Sequence, residues 1–255
     1  MELTEVKFWD DYWANCKLPN EVDFSFSFER CLAMNLKIFL AGCNGEVLEI
    51  GCAPGKWLAF LSGELGLKPS GIEYSSAGML ATKKNFEMLD LSYGNIWRGD
   101  FFQLPPTQKF DVVMSLGFIE HFSNVDEVIE RHLQWLKAGG KLVLGVPNFC
   151  GIYKPIQFAL DHSVLEKHNT EIMNVAYFQK LGELLNLKPI FIGYIGSFEP
   201  DLFILPDIPF SLKQYVLRGL LWLARRVRRL RTLDMINNSY ISSYILSVYE
   251  KGSTL

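Results

Sequence analysis

A short loop with two glycines and an acidic residue could hold a cofactor. Residues 49–55 read Glu-Ile-Gly-Cys-Ala-Pro-Gly, directly after an apolar run and before a helical pattern. Glycines at such a position allow a tight turn and a close approach of the backbone to a ligand at the carboxyl edge of an α/β sheet. A dinucleotide fingerprint needs glycine where Ala53 stands. A phosphate-binding loop needs wider spacing than that of Gly51 and Gly55, and a Ser or Thr where Trp57 follows the lysine.

Four more motifs follow this loop in chain order. They are Glu73 at the end of the second predicted strand, Gly99-Asp100-Phe101 after the third, residues 111–121 over the fourth strand and its loop, and residues 136–147 over the fifth. With the acidic-x-Gly-x-x-x-Gly loop at the front, residues 45–150 resemble class I S-adenosylmethionine (SAM)-dependent methyltransferases, and the whole chain resembles them more loosely.

The resemblance implies a SAM site whose members can be assigned one by one. Glu73 would accept the two ribose hydroxyls, and Asp100 would accept from the adenine amino group with Phe101 or Phe102 against the ring. The loop backbone would face the amino-acid part of the cofactor, and Glu49 would support the loop or bind the ammonium group. The implied cofactor-binding residues are Glu49, Gly51, Cys52, Ala53, Gly55, Glu73, Tyr74, Asp100, Phe101, Ser115 and Gly117.

Histidines are the candidates for the catalytic base. A sulfonium methyl is already activated, so the enzyme mainly aligns the acceptor, and a hydroxyl acceptor must also lose its proton. His121 follows the fourth strand at the mouth where the methyl group would lie, and His168 lies in the segment after the fifth strand. We therefore predict His121 and His168 as catalytic residues. His162 is a weaker candidate, and His132 falls among the apolar positions of a helix and is predicted to lie in the core.

No metal site is expected from the motif itself. Small-RNA 2′-O-methyltransferases carry a Glu-x-x-Glu-His metal motif at this place, and Glu120-His121 match it while Gly117 replaces the first Glu. The loss of one oxygen ligand argues against a divalent cation. The spacing resembles more closely the ubiquinone-biosynthesis type of small-molecule methyltransferase. Residues 146–173 also resemble methyltransferases of the broad glycan and natural-product group.

Alternating strands and helices must position these residues. Apolar runs at 46–50, 70–73, 95–98, 110–115 and 141–146 alternate with helical patterns, which include 77–89 and 124–137. Strands separated by helices imply right-handed crossovers and a mostly parallel sheet. With two closing strands at 189–195 and 243–249, we predict an α/β, Rossmann-like, doubly wound, mostly parallel seven-stranded sheet flanked by helices, with the last strand antiparallel.

The chain is predicted to form a single methyltransferase domain over residues 1–255. Residues 1–44 contain an aromatic cluster and are predicted to cap the sheet, before a SAM-binding core at 45–150. Acceptor-side helices and a strand follow at 151–197, then a basic helical insertion at 198–240 and a closing strand at 241–255.

Composition excludes several classes of protein. The 255 residues have 49% hydrophobic and 21% charged side chains and a formal charge of −3, which excludes a disordered chain and a generally basic nucleic-acid binder. Five cysteines without a CxxC pair argue against a disulfide framework and for a reducing compartment. An acidic, aromatic N-terminus is not a signal peptide. We therefore expect a cytoplasmic protein.

One segment departs from this average charge. Residues 211–233 contain seven cations and no acid, so the remainder of the chain has a formal charge of −10. An apolar helical stripe runs through the same segment: Leu212, Val216, Leu220, Leu223, Val227 and Leu230. Such a helix can lie on an anionic membrane surface at the inner face, attract an anionic or lipid-linked acceptor, or mediate an oligomer contact. The alternative is a helix packed on the domain with solvated arginines. Nucleic acid is not expected as a partner, because the chain has no RNA-binding module and no other basic region.

Two functions from different classes fit these observations. The first is SAM-dependent methyl transfer to a hydroxyl or amine of a small molecule or glycan, which could be lipid-linked. The second is a catalytically idle SAM-binding or scaffolding subunit that acts through the basic insertion. The sequence determines neither the acceptor nor the oligomeric state.

Overall fold

A seven-stranded sheet forms the centre of the protein. The computed structural model describes residues 4–204, 212–227 and 231–252. Within them the strand order is β3-β2-β1-β4-β5-β7-β6, with β7 antiparallel to both of its neighbours and the other pairs parallel. The predicted fold class is confirmed. The strands are β1 Glu46–Ile50, β2 Lys68–Glu73, β3 Ile96–Arg98, β4 Phe110–Leu116, β5 Leu136–Pro147, β6 Leu187–Ile195 and β7 Tyr244–Lys251.

Helices cover the sheet and bury both of its faces. Neighbouring residues of one strand, such as Val112 and Val113 of β4, belong to two different hydrophobic clusters, because successive side chains point to opposite faces. The helices are α1 Val6–Ala14, α2 Ser27–Phe39, α3 Lys56–Leu65, α4 Ser76–Met88, α5 Val125–Trp135, α6 Tyr153–Leu160, α7 Ser163–Glu166, α8 Val175–Leu184 and α9 Leu212–Val227.

Strand order brings the predicted motifs to one edge. β1 lies between β2 and β4, which is where the order of the strands reverses. The carboxyl ends of these parallel strands meet there, at Ile50, Glu73 and Leu116. Ligands of open α/β sheets bind in the crevice outside such a switch point. The loops that follow the three strands are therefore the elements that can form a site.

The boundary between α5 and β5 differs from the prediction. The sequence pattern predicts a helix over 124–137 that is stopped by the glycines at 139 and 140, with a strand from 141. In the structure the helix ends at Trp135 and the strand begins at Leu136, which pairs with Phe110 and is fully buried. The register then shifts between Phe110 and Val112, so residues 137–140 form a bulge inside the strand.

Two segments outside the core pattern pack against it. Helix α1 packs on α4, where Asp10 Oδ1 accepts hydrogen bonds from the Ser75 hydroxyl (2.7 Å) and the Ala77 amide (3.0 Å). The turn Arg231–Met235 is attached to α2 because Asp234 accepts from both Nε and Nη2 of Arg30, at 2.6 and 2.7 Å. Among the described residues, no helix combines the length and apolar character required to cross a bilayer.

Candidate active site

A cleft of about 390 Å³ lies at the switch point. Its walls come from the loop after β1, the end of β2, the loops after β3 and β4, helix α1 and the segment after α7. Most of the predicted site residues line it: Glu49, Gly51, Cys52, Ala53, Glu73, Tyr74, Asp100, Phe101, Gly117, His121 and His168. Of the predicted set, Gly55 and Ser115 are not among the lining residues.

The glycines of the loop are required by its geometry. Gly51 has φ +71°, and a Cβ there would lie 2.9 Å from the ring of Phe118. Gly55 has φ +86°, and a Cβ there would lie 2.9 Å from Thr82 Cγ2. Both positions therefore favour glycine for conformation and for space. Gly51 lines the cleft. Gly55 is not a lining residue; it immediately precedes α3, and its left-handed conformation allows the turn into that helix.

Two backbone amides hold the Glu73 carboxylate in place. The Ala53 amide donates to Oε2 (3.1 Å), and the Ser75 amide donates to Oε1 (2.9 Å). Burial raises the pKa of this carboxyl, and the backbone hydrogen bonds oppose that shift. Each carboxylate oxygen can accept more than one hydrogen bond, so both keep acceptor capacity. This arrangement fits a ligand that offers a pair of hydroxyl groups, such as a ribose.

Glu49 lies deeper in the same wall. Its side chain is buried, and Oε2 has no hydrogen-bond partner among the described residues. Burial raises the pKa of Glu49 well above the usual range, and the charge of Glu73 adds to the shift. A cationic group placed here would compensate the carboxylate, so the site fits the ammonium group that the resemblance implies.

The loop after β3 supplies a carboxylate and two rings. Asp100 accepts hydrogen bonds from the Phe102 amide (2.9 Å) and from Gln103 Nε2 (3.0 Å). Phe101 is only 4% exposed and packs against His132 and Phe118, whereas Phe102 is 37% exposed. Of the two rings, Phe102 therefore has more free surface for a planar ligand.

Ser115 and Gly117 lie on different sides of the wall. Ser115 is fully buried, and its hydroxyl lies 3.0 Å from Nε2 of His132, which is also fully buried. Gly117, at φ +73°, is in the cleft and donates its amide hydrogen to the Gly145 carbonyl (2.9 Å). Ser115 lies inside β4, whereas Gly117 follows the last residue of the strand with a left-handed backbone conformation, so Ser115 supports the wall from the core and the backbone of Gly117 forms its surface.

The two predicted catalytic histidines meet at the opposite wall. Their ring centres are 4.7 Å apart, although 46 residues separate them in the sequence. Nδ1 of His121 lies 2.9 Å from the Lys167 carbonyl, and Nδ1 of His168 lies 2.6 Å from the Val164 carbonyl. A carbonyl oxygen only accepts, so both histidines carry their proton on Nδ1 and leave Nε2 as a free lone pair.

Burial controls the charge of this wall. It lowers the pKa of His121 to about 3, with a further contribution from His168, and it also lowers the pKa of His168. It raises the pKa of the neighbouring Glu120 to about 8. Both imidazoles are therefore neutral at physiological pH, and their lone pairs can accept a hydrogen bond or bind a cation, while the low pKa makes His121 a weak base. His162, by contrast, is exposed and 3.9 Å from Glu166.

Helix α1 contributes an aromatic cover that the motif analysis did not include in the site. Phe8, Trp9, Tyr12 and Trp13 line the cleft, and the Trp9 ring centre lies 5.1 Å from that of His121. The signal was present in the sequence, because aromatic residues at i, i+1, i+4 and i+5 lie on one side of a helix. Which surface that side would cover depended on the tertiary structure.

Comparison with known proteins gives a consistent result. The family model described as "Methyltransferase domain" matches residues 27–188. A ubiquinone biosynthesis O-methyltransferase from Glaesserella parasuis is 29% identical over 108 residues, 40% of this chain and 45% of that protein. One from Bradyrhizobium diazoefficiens is 26% identical over 120 residues, 46% of this chain and 47% of that protein. The chain thus spans slightly less than half the length of these curated relatives.

Solved structures share the fold at low identity. A SAM-dependent methyltransferase from Archaeoglobus fulgidus has a TM-score of 0.54 at 19% identity, covering 86% of this chain and 93% of its own. The plantazolicin methyltransferase BpumL, crystallised with S-adenosylhomocysteine (SAH), has a TM-score of 0.56 at 16% identity, covering 96% and 90%. The family match over most of the chain and the shared class I fold confirm the resemblance found in the motifs, and the chain belongs to the methyltransferase domain family.

Proposed function

We propose that the protein transfers a methyl group from SAM to a hydroxyl, or an amine, of a small-molecule or glycan acceptor. The observation that carries the proposal is one cleft with two chemically different walls. One wall holds the glycine loop with Glu73, and the other holds the neutral pair His121 and His168. The first fits a nucleoside with an ammonium group, and the second offers imidazole lone pairs to the hydroxyl of an acceptor.

Methyl transfer sets three tasks for the residues of the chain. SAM supplies a methyl group that is already activated on a sulfonium sulfur. The acceptor atom must lie in line with the bond from sulfur to methyl carbon, so that the new bond forms as the old one breaks and SAH leaves. Water must be excluded, which the α1 aromatic side chains of the cleft favour. A hydroxyl acceptor must also lose its proton, and the wall with His121 and His168 is where that occurs.

Transfer to oxygen is the preferred form of the proposal. Both curated relatives are O-methyltransferases by name, and the wall that faces the glycine loop can remove a proton. A neutral amine acceptor would not need that function. The alternative of a catalytically idle SAM-binding subunit predicts cofactor binding without turnover.

Two measurements test the proposal in sequence. Calorimetry with SAM and SAH should show binding of both at one site per chain. Incubation with methyl-labelled SAM and a panel of phenols, sugars and amines should then transfer label to at least one hydroxyl compound. Absence of binding to SAM and SAH would contradict the cofactor assignment. Binding without transfer to any acceptor class would favour the idle subunit.

Helix α9 supports a further part of the proposal, contact with an anionic membrane surface. Leu221 is buried and Leu217 packs against the core, so these residues attach the helix to the domain. Val216, Leu220 and Leu223 are each more than half exposed, and these are members of the predicted apolar stripe. These three described members of the stripe therefore point outward.

The charges beside the exposed leucines support an anionic membrane surface as the partner. The Arg226 guanidinium lies 4.8 Å from the ring centre of Trp222, which is itself 56% exposed, and Arg225 pairs with Asp201 at 2.6 Å. An exposed apolar stripe bordered by arginines and a tryptophan is typical of helices that lie in a membrane interface. The side chains of Lys213, Arg228, Arg229 and Arg231, which belong to the same predicted cationic segment, lie outside the described residues.

Flotation with vesicles tests this contact. The protein should float with phosphatidylglycerol vesicles at low salt and remain behind with neutral phosphatidylcholine vesicles. Leu220→Glu should abolish flotation, whereas Leu80→Glu, at a similarly exposed leucine on α4, should not. Equal behaviour of the two variants, or no flotation of the unaltered protein, would contradict the membrane proposal and leave α9 as a helix packed on the domain.

A further inference from the structure

Three side chains that can bind a metal converge on the wall of the cleft that contains His121 and His168, which we call the acceptor wall. Glu120 and His121 come from the turn Ile119–His121 after β4, and His168 comes from the segment after α7. One carboxylate oxygen and one nitrogen of each ring lie within 4.8 Å of one another. The amide of Asn169 donates to the Glu120 carbonyl (2.6 Å), which holds the two segments together.

Both imidazoles are oriented as metal ligands usually are. Each uses Nδ1 to donate to a backbone carbonyl, of Lys167 for His121 and of Val164 for His168. Metal-binding histidines commonly donate their second ring nitrogen in this way, because the hydrogen bond selects the tautomer and fixes the ring. The two Nε2 lone pairs are thereby available for coordination.

The carboxylate lacks a compensating partner. Glu120 is 1% exposed, and its Oε2 has no hydrogen-bond partner among the described residues. Its Oε1 lies 3.9 Å from Nε2 of His121, which is longer than a hydrogen bond. A proton shared between the two groups therefore does not account for the arrangement. A buried carboxylate that faces two lone pairs is unfavourable unless it takes up a proton of its own or a cation joins the three groups, and only a cation would use the two lone pairs as well.

We propose that Glu120, His121 and His168 bind one divalent cation at the acceptor wall of the cleft. Two imidazoles with one carboxylate favour a first-row transition metal, such as Mn²⁺, Fe²⁺, Co²⁺ or Zn²⁺, over Mg²⁺ or Ca²⁺, which prefer oxygen ligands. Three protein ligands leave coordination positions free. His121 and His168 both line the cleft, so a free position is open to a ligand in it.

The metal would change how the acceptor loses its proton, an inference that rests on the proposed function. A hydroxyl bound to a divalent cation would have a lowered pKa, so it could release its proton to solvent as it enters the cleft, before water is excluded and without a neutral imidazole as base. The oxygen then forms its bond to the methyl carbon, the bond from that carbon to sulfur breaks, and SAH is released. The step involves no oxidation or reduction.

Binding of the metal alone provides the test. Protein treated with a chelator and then dialysed is titrated with Mn²⁺, followed by paramagnetic resonance, and with Co²⁺, followed by its visible absorption. We expect one ion per chain. Glu120→Gln and His168→Ala should each weaken binding at least about tenfold. His162→Ala, which removes an exposed histidine outside the cluster, should leave binding unchanged.

Every result of these titrations either supports or contradicts the metal site. Circular dichroism and SAH calorimetry on the same samples establish that each variant is folded. Absence of Mn²⁺ and Co²⁺ binding, or equal binding by the Glu120→Gln, His168→Ala and unaltered proteins, would overturn the metal site. SAH binding without metal binding contradicts only the metal site, whereas metal binding without SAH binding contradicts only the proposed function.

Discussion

Glu73 in one wall of the cleft and Glu120 in the other are both buried, and their carboxyl groups differ in their hydrogen-bond partners. Glu73 accepts one backbone amide on each oxygen, whereas Oε2 of Glu120 has no partner among the described residues. Burial raises the pKa of both groups. Glu73 is thus satisfied within the protein, whereas Glu120, like Glu49 beside Glu73, keeps an unpartnered oxygen that a proton or a cation from outside would compensate. In the function that we propose, the wall with Glu73 binds the cofactor and is called the cofactor wall, and the wall with Glu120, His121 and His168 is the acceptor wall, where the reaction takes place.

The largest effect is expected on the cofactor wall. Glu73→Ala should weaken SAH binding roughly 100-fold, because two hydrogen bonds to a charged group contribute together about 3 kcal/mol or more. Isothermal calorimetry measures this change. Glu87→Ala, at an exposed position of α4, is the matched control and should bind as the unaltered protein does. Retained affinity in Glu73→Ala, with unchanged folding, would place the cofactor elsewhere.

The next effect is expected on the acceptor wall. Removal of the metal by a chelator should lower the rate of methyl transfer to a hydroxyl acceptor at least about tenfold, since the bound hydroxyl would no longer have a lowered pKa. The SAH affinity should not change, because Glu73 and the glycine loop are on the other wall. Added Mn²⁺ should restore the rate. A full rate in the chelated enzyme would assign proton removal to an imidazole instead and would weaken the contrast between the walls.

The smallest effect is expected where α1 covers both walls. Asp10→Ala removes the acceptor that the Ser75 hydroxyl and the Ala77 amide use at the start of α4, so α1 should be held less firmly. SAH binding should weaken roughly two- to tenfold, as for loss of a helix cap. Asp11→Ala, beside it, removes only the exposed pair with Lys7 and should have no effect on binding. Equal affinities of the two variants would show that α1 does not contribute to cofactor retention.

The cofactor wall could be predicted because its parts are close together in the sequence. The loop 49–55 and Glu73 belong to one β-α-β unit, and the handedness of such units places their loops at one edge. The structure brings these residues into one cleft, as expected. Ser115 was placed at the cofactor because it belongs to the same motif, yet its side chain points into the core and contacts His132. The motif identifies the strand but not the face on which a given side chain lies.

The acceptor wall could be predicted only in part. Position in the motifs identified His121 and His168 separately. A metal was not expected, because Glu120 and His121 match a contiguous Glu-x-x-Glu-His motif in which this chain has Gly117 in place of the first glutamate ligand. The approach of His168 to within 4.7 Å of His121, measured between ring centres, depends on packing across 46 residues. Counting the metal ligands within one contiguous sequence motif could therefore not include His168.

Sequence by itself determined the order of strands and helices along the chain, the glycine loop, the acidic residue at the end of β2 and the uneven distribution of charge. Each of these depends on local conformation or on hydrophobic periodicity, which are properties of neighbouring residues. Tertiary structure decided the partners of the buried groups: the two amides on Glu73, the bulge at residues 137–140, the aromatic cover of α1 and the cluster on Glu120. The hydrogen-bond and packing partners of a buried group come from segments that are distant in the chain, so local sequence does not specify them. Burial strengthens each hydrogen bond that is formed and raises the free-energy cost of each buried polar group that lacks one.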